Sequence, residues 1–199
     1  MTPALVLASS SPTRRAILAD AGVRFLVDAS GTDETLIDAT TAELVAHFAR
    51  EKALAVAPRH ADALVLGCDS LLDLDGRPYG KPASQLDAER RWQAQRGHTG
   101  ILYTGHALVS TTTGELHAEV VATAVHFGHP TDLEVHAYVR SGEPLDKAGA
   151  FTLEGRSAAF IDSIEGDAGN VRGLSLPALS RLLRHHGWSI TDFWTDQGE

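Results

Sequence analysis

Of the seventeen basic residues in this chain, fourteen are arginine and only three are lysine, at positions 52, 81 and 147. In a sequence that otherwise chooses arginine, a retained Lys52, Lys81 or Lys147 can mark a place that needs a compact ammonium charge rather than a planar fork. Coding bias with three chance survivors is the plain alternative. Lys52 has a second argument, because Val45, Ala49, Lys52 and Val56 follow the spacing of one helical stripe. A lysine on that apolar stripe either snorkels to solvent or meets an anion. Asp69 ends the apolar run 63–68, and ligands of α/β sheets collect beyond the carboxyl ends of strands. A carboxylate there can take a proton from water or hold a divalent cation, or it can simply cap a turn with Ser70.

The segment Ser9-Ser10-Ser11-Pro12-Thr13-Arg14-Arg15 reads as a strand turning sharply into a helix. Such a turn gathers free backbone N–H groups at the positive end of the helix dipole, and Arg14 and Arg15 add charge, which makes a phosphate cradle. An ordinary capped helix with two solvated arginines is the alternative. GRPYGKP at 76–82 fails the P-loop pattern, with three residues between its glycines and Pro82 where Ser or Thr would hold magnesium, and no G-x-G-x-x-G follows a predicted strand. His126 with His129, and His185 with His186, offer spaced or neighbouring imidazoles without a third ligand, so they read as surface or packing residues. Cys68 reads as an inert packing thiol in a buried strand. Glycines flank the charged residues of 142–155, with Lys147 and Glu154 among them, and of 165–170, which allows backbone to approach a ligand or simply makes turns.

The elements that must position these residues follow from local signals. Leu5 to Leu7 predict a short strand, Ser11-Pro12 a capped helix stopped at Gly22, and 24–28 a second strand. Thr41 is expected to cap a helix through Val56, ended by Pro58. Ala63 to Cys68 reads as a strand buried on both faces that ends on Asp69. Leu71 to Leu74 and 77–81 form a hairpin about Asp75-Gly76. Ser84 with Asp87 caps a helix toward Arg96, 101–110 and 115–127 pair across a turn at 111–114, and Thr131 with Glu134 opens another helix as a capping box. A Gly-rich stretch, 142–173, then leads to a helix near Leu176 to His186 that Gly187 stops. The sum is an α/β protein with a mixed sheet, one domain over 1–199.

Composition narrows the function. Seventeen basic against 26 acidic residues give a formal charge of −9, which disfavours a nucleic-acid polymer or an anionic membrane as partner while leaving room for a small anion. One cysteine permits no internal disulfide, consistent with a reducing cytoplasm. ALVLASSS at 4–11 faintly resembles a signal h-region but does not read as one, because its arginines follow the apolar run, and no apolar run approaches a membrane span.

In order along the chain, LASSSPTRRAIL (7–18), Asp33-Glu34, Glu51-Lys52-Ala53, GCDS (67–70), GKP (80–82), YTGHAL (103–108), GEPLDKAGAF (142–151) and EGDAGNVRGLSL (165–176) resemble the Maf family of nucleoside triphosphate pyrophosphatases, named for septum formation. The resemblance covers about residues 5–183. It implies a mixed, twisted sheet flanked by helices and bent into two lobes around a central cleft, often in a dimer. It also implies hydrolysis of a nucleoside triphosphate to the monophosphate and diphosphate with a divalent cation, magnesium or manganese. On that basis Asp69 is the proton acceptor for water, and Arg14, Lys52 and Lys81 are conserved basic positions. Glu34 is an acidic position expected, with Asp69, to hold the metal. Ser9, Ser10 and Lys147 join the expected phosphate contacts. Thr13, Ser70 and Glu154 match the base-reading positions, where the dTTP and UTP subgroup carries Arg, Thr and Gln and the 7-methyl-GTP subgroup Trp, Gln and Glu. Thr13 fits neither, Ser70 is closer to the first and Glu154 matches the second. The expected activity is therefore a cytoplasmic hydrolase for noncanonical or excess nucleotides. The alternatives are a nucleotide-binding regulator of septation without turnover and, more remotely, a phosphotransferase that leaves orthophosphate.

Overall fold

The computed structural model describes residues 2–32 and 38–195. Its elements run β1 (Ala4–Leu7), α1 (Pro12–Asp20), β2 (Leu26–Val27), α2 (Thr41–Val56), β3 (Ala63–Leu74), β4 (Arg77–Tyr79), α3 (Gln85–Gln95), β5 (Thr99–Ser110), β6 (Leu116–Phe127), α4 (Asp132–Arg140), β7 (Ile161–Glu165), α5 (Ala168–Val171) and α6 (Leu176–His185). The strands form one mixed seven-stranded sheet in the order β2-β1-β3-β5-β6-β7, with β4 also paired to β3. β1 runs parallel to β2 and β3, and the remaining pairings are antiparallel. Among the described residues no helix is long and apolar enough to cross a membrane.

Side-chain alternation on β3 sorts the layers. Leu64, Leu66 and Cys68 face a core built from α1 and α6, with Leu18, Leu179, Leu182 and Leu183 fully or almost fully buried. Ala63 and Val65 face the other way, onto Ala49, Ala53 and Val56 of α2. Farther along the first face Leu72 belongs to a separate core, around Trp92 of α3, Tyr138 of α4 and Phe127. Two apolar lobes therefore share one face of the long central strands, with Ser70 between them on that face and Asp69 turned to the other, toward α2.

The caps foreseen from sequence are in place at α1 (Ser11), α3 (Ser84) and α4 (the Thr131–Glu134 box). At α2 the cap is Thr40, boxed with Glu43, and not Thr41. Thr41 is instead buried, and its hydroxyl donates to the Asp73 carboxylate. The two-residue turn at Asp75-Gly76 has φ of 53° and 76°, the left-handed pair a tight hairpin requires.

Two further expectations are corrected. β3 does not end at Asp69: it continues to Leu74, because Asp69 and Ser70 keep their places in the antiparallel ladder opposite Gly105 and Thr104. A polar pair in mid-strand is tolerated because each side chain has partners, as described below. The 142–173 stretch also contains β7, α5 and short 3-10 turns. β7 is an edge strand whose residues are all at least partly exposed, so it lacks the apolar alternation that reveals a strand in sequence.

Candidate active site

Along one edge of β3 there is a break in the sheet. β1 pairs with Ala63 to Leu66, extended by the Ala8 N–H donating to the Leu66 carbonyl, and β4 pairs only from Leu72 onward. Residues 67–71 thus face a gap between two neighbouring strands, and a cleft of about 670 Å³ opens there. Its wall includes Ser9, Ser10, Thr13, Arg14, Lys52, Asp69, Ser70, Lys81 and Lys147. Residues spread over more than 130 positions of chain converge, and all three lysines of the sequence are among them.

Lys52 is buried at 7% exposure and its Nζ donates to Asp69 Oδ1 at 2.5 Å, with Asp69 at 5%. The helical stripe that carries Lys52 is buried as expected, so the lysine meets an anion rather than snorkelling. Close packing of α2 on the sheet brings them together. A Cβ on Gly67 would lie 2.1 Å from the Ala49 carbonyl oxygen, and one on Gly105 would lie 2.1 Å from that of Val45. These glycines let the helix backbone rest directly on β3 and β5.

Arg14, one turn into α1, spans three elements. Its Nε donates to the Gly173 carbonyl (2.7 Å), Nη1 to Ser9 Oγ (3.2 Å) and Nη2 to Ser70 Oγ (3.0 Å). Three of its five N–H donors are used, leaving two for a ligand. Gly173 itself has φ of +105°, and a Cβ there would press within 3.3 Å of Arg14 Nε. Ser70 lies 2.9 Å from Thr104 Oγ1, whose hydroxyl donates to the Asn170 carbonyl. Since Arg14 donates to Ser70 and Thr104 donates onward, Ser70 donates to Thr104. The floor of the cleft is one directed chain of hydrogen bonds from α1 to α5. Asn170, the chain's single asparagine, is buried and donates to the Leu102 carbonyl and Thr123 Oγ1, so it pins this floor to β5 and β6 and does not face a ligand.

The opposite wall belongs to the second lobe. The Gly80 carbonyl accepts from Arg91 Nη1 and from the Gly149 N–H, which ties the loop carrying Lys81 to the loop carrying Lys147. Trp92 Nε1 and Gln95 Nε2 hold the same loop through the carbonyls of Ala150 and Gly149. Lys147 Nζ reaches across to Thr13 Oγ1 at 3.4 Å. Lys81 is exposed at the rim.

Glu154 is not part of the wall; it forms an ion pair with Arg172, which is. Arg172 was not singled out from sequence, and its position beside Gly173 in the 165–176 motif was the available signal. Glu34 lies outside the described residues. Cys68 faces the α1–α6 core, and burial pushes its thiol up to about 11, which makes it inert at neutral pH. With Arg14, Lys52, Lys81, Lys147 and Arg172 against Asp69, Glu143 and Asp146, the cleft's lining among the described residues is cationic in an acidic protein. Chemically it can bind a polyanion and place a carboxylate beside it.

Comparison with known proteins places the chain in a family. A protein of Streptomyces coelicolor named nucleoside triphosphate pyrophosphatase is 54% identical over 193 residues, covering 96% of this chain and 94% of its own length. One of the same name from Synechocystis sp. is 49% identical, covering 98% of this chain and all of its own. The family model described as "Maf-like protein" matches residues 4–186, and with these relatives it shows that the chain belongs to the Maf family.

Proposed function

We propose that the protein is a nucleoside triphosphate pyrophosphatase, cleaving the anhydride between the α and β phosphates to give the monophosphate and diphosphate. The observation that carries the proposal is the convergence of Arg14, Lys52, Lys81 and Lys147 on a cleft that holds the buried Asp69. A triphosphate brings about four negative charges at neutral pH, and preorganised cations stabilise the further charge that builds up as the anhydride breaks. Arg14 has donors to spare for phosphate oxygens, and Ser9 and Ser10 sit beside it before the positive end of α1. Asp69 is the buried carboxylate of the described wall and can accept a proton from water, and Lys52 holds it in one orientation.

The cleft suits magnesium or manganese. Its described lining offers carboxylate and hydroxyl oxygens, and no imidazole or thiol, the hard donor set these ions prefer. Asp69 would be the protein ligand, with Glu34 as its expected second. When bound, such an ion neutralises phosphate charge and lowers the pKa of a coordinated water.

For base preference, Ser70 is committed to Arg14 and Thr104, whereas Thr13 and Arg172 line the cleft and can meet a base edge, Arg172 being held by Glu154 from outside the wall. The biological role in this reading is removal of noncanonical or excess triphosphates in the cytoplasm. The test is a panel of canonical and modified triphosphates with magnesium or manganese and with products identified. Monophosphate plus pyrophosphate from at least one member is expected. Nucleotide binding without turnover, or release of orthophosphate, would overturn the assignment.

A further inference from the structure

Away from the cleft the fold assembles a second set of donor side chains. The β5–β6 turn and the start of β6 carry Glu115 and His117, and the end of α6 brings His186 against them. One ligand atom from each lies within 4.8 Å of the others. His117 Nε2 is 2.9 Å from Glu115 Oε1. His186 Nε2 is 3.2 Å from the Leu108 carbonyl, to which it can only donate, so its Nδ1 carries the lone pair. A backbone carbonyl on one ring nitrogen is the arrangement that orients the other toward a metal. His185 stacks on the His117 ring with centroids 4.7 Å apart and fixes its plane.

We propose that Glu115, His117 and His186 bind one borderline divalent transition-metal ion, with zinc as the reference case and water in the remaining position. Two imidazoles and a carboxylate select this class over magnesium or calcium, which take oxygen donors. A tetrahedral ion with bonds of about 2.0–2.1 Å holds its ligands roughly 3.4 Å apart. The exposed Glu115 side chain, at 56%, has the freedom to close the remaining distance and leaves a path of entry.

This site is not the one that serves the cleft. His117 pairs with Leu108, whose side chain lies in the α1–α6 core, and the His117 ring packs on His185 and His186 at the end of α6. Asp69 points to the opposite face of the sheet, toward Lys52 of α2. An ion held here would clip the hairpin tip to the end of α6 without touching the phosphates. The inference stands independently of the nucleotide reading.

The experiment is calorimetric titration of zinc(II) into untagged protein in excess magnesium, using wild type, His117→Ala, Glu115→Gln and Asp69→Asn. One equivalent is expected in wild type and in Asp69→Asn. His117→Ala should lose it, and Glu115→Gln, an exposed change that leaves packing intact, should weaken it by at least about tenfold. Zinc should raise the melting temperature of wild type but not of His117→Ala. No zinc uptake, unchanged binding in both Glu115→Gln and His117→Ala, or loss of the equivalent in Asp69→Asn would overturn the proposal.

Discussion

Arg14 does two jobs with one guanidinium. It clasps the Gly173 carbonyl, Ser9 and Ser70, and it leaves donors facing the cleft. A lysine in its place has three donors on a flexible stem and no planar fork, so it cannot span the same acceptors. We expect Arg14→Lys to raise KM for the nucleotide by about tenfold or more, with a smaller effect on kcat, measured by pyrophosphate release over a range of substrate concentrations. The residue scale is also where sequence was most informative. Lysine scarcity pointed to Lys52, Lys81 and Lys147, and all three line the cleft. Sequence could not choose between snorkelling and ion pairing for Lys52, because that depends on Asp69, seventeen residues away on another element. Arg172 stayed hidden for the same reason: its role comes from the long-range contact with Glu154.

At the scale of elements, the site depends on how closely α2 rests on the sheet. Gly67 and Gly105 allow that contact, and both meet helix backbone rather than a side chain that could swing away. Gly105→Ala must lift α2 and with it Lys52. We expect it to destabilise the fold by about 1–3 kcal/mol, as overpacking does, and to reduce turnover through the misplaced Lys52–Asp69 pair. Urea denaturation together with kcat would show both. Local sequence signals predicted the helices well, because caps such as Ser11, Ser84 and the Thr131–Glu134 box act within four residues. They misread β3, since a charged Asp69 looks like a strand end unless its partner is known. They passed over β7, whose pairing with β6 leaves no apolar stripe. The cleft was legible only through the family resemblance and not from local signals, because it is a gap in strand pairing between β1 and β4, a property of the assembled sheet.

For the whole molecule, a body with a formal charge of −9 surrounds a cleft whose described lining is cationic, and the fold's stability depends on pH. His106 is fully buried on β5 and accepts a hydrogen bond from the Ser175 N–H at the head of α6. Burial, then the nearby Arg14 charge, push its pKa down to about 4. In the unfolded chain it titrates near 6.5, so between about 6.5 and 4 the unfolded state binds a proton that the folded state refuses. Its contribution is therefore complete above about pH 6.5 and is lost as pH falls, at no more than roughly 1.4 kcal/mol per pH unit. We expect the urea midpoint to drop between pH 7 and pH 5, and to drop less in His106→Gln, which retains an acceptor for Ser175.

In the function proposed above, Asp69 is the group that takes the proton from the attacking water. Asn at this position keeps the shape and removes the base. The decisive measurement is single-turnover pyrophosphate release by wild type and Asp69→Asn at saturating nucleotide, with binding measured alongside. The variant is expected still to bind, with its release rate lower by about 10²–10⁴-fold, the usual weight of a general base. An Asp69→Asn protein that releases pyrophosphate at the wild-type rate would contradict that role.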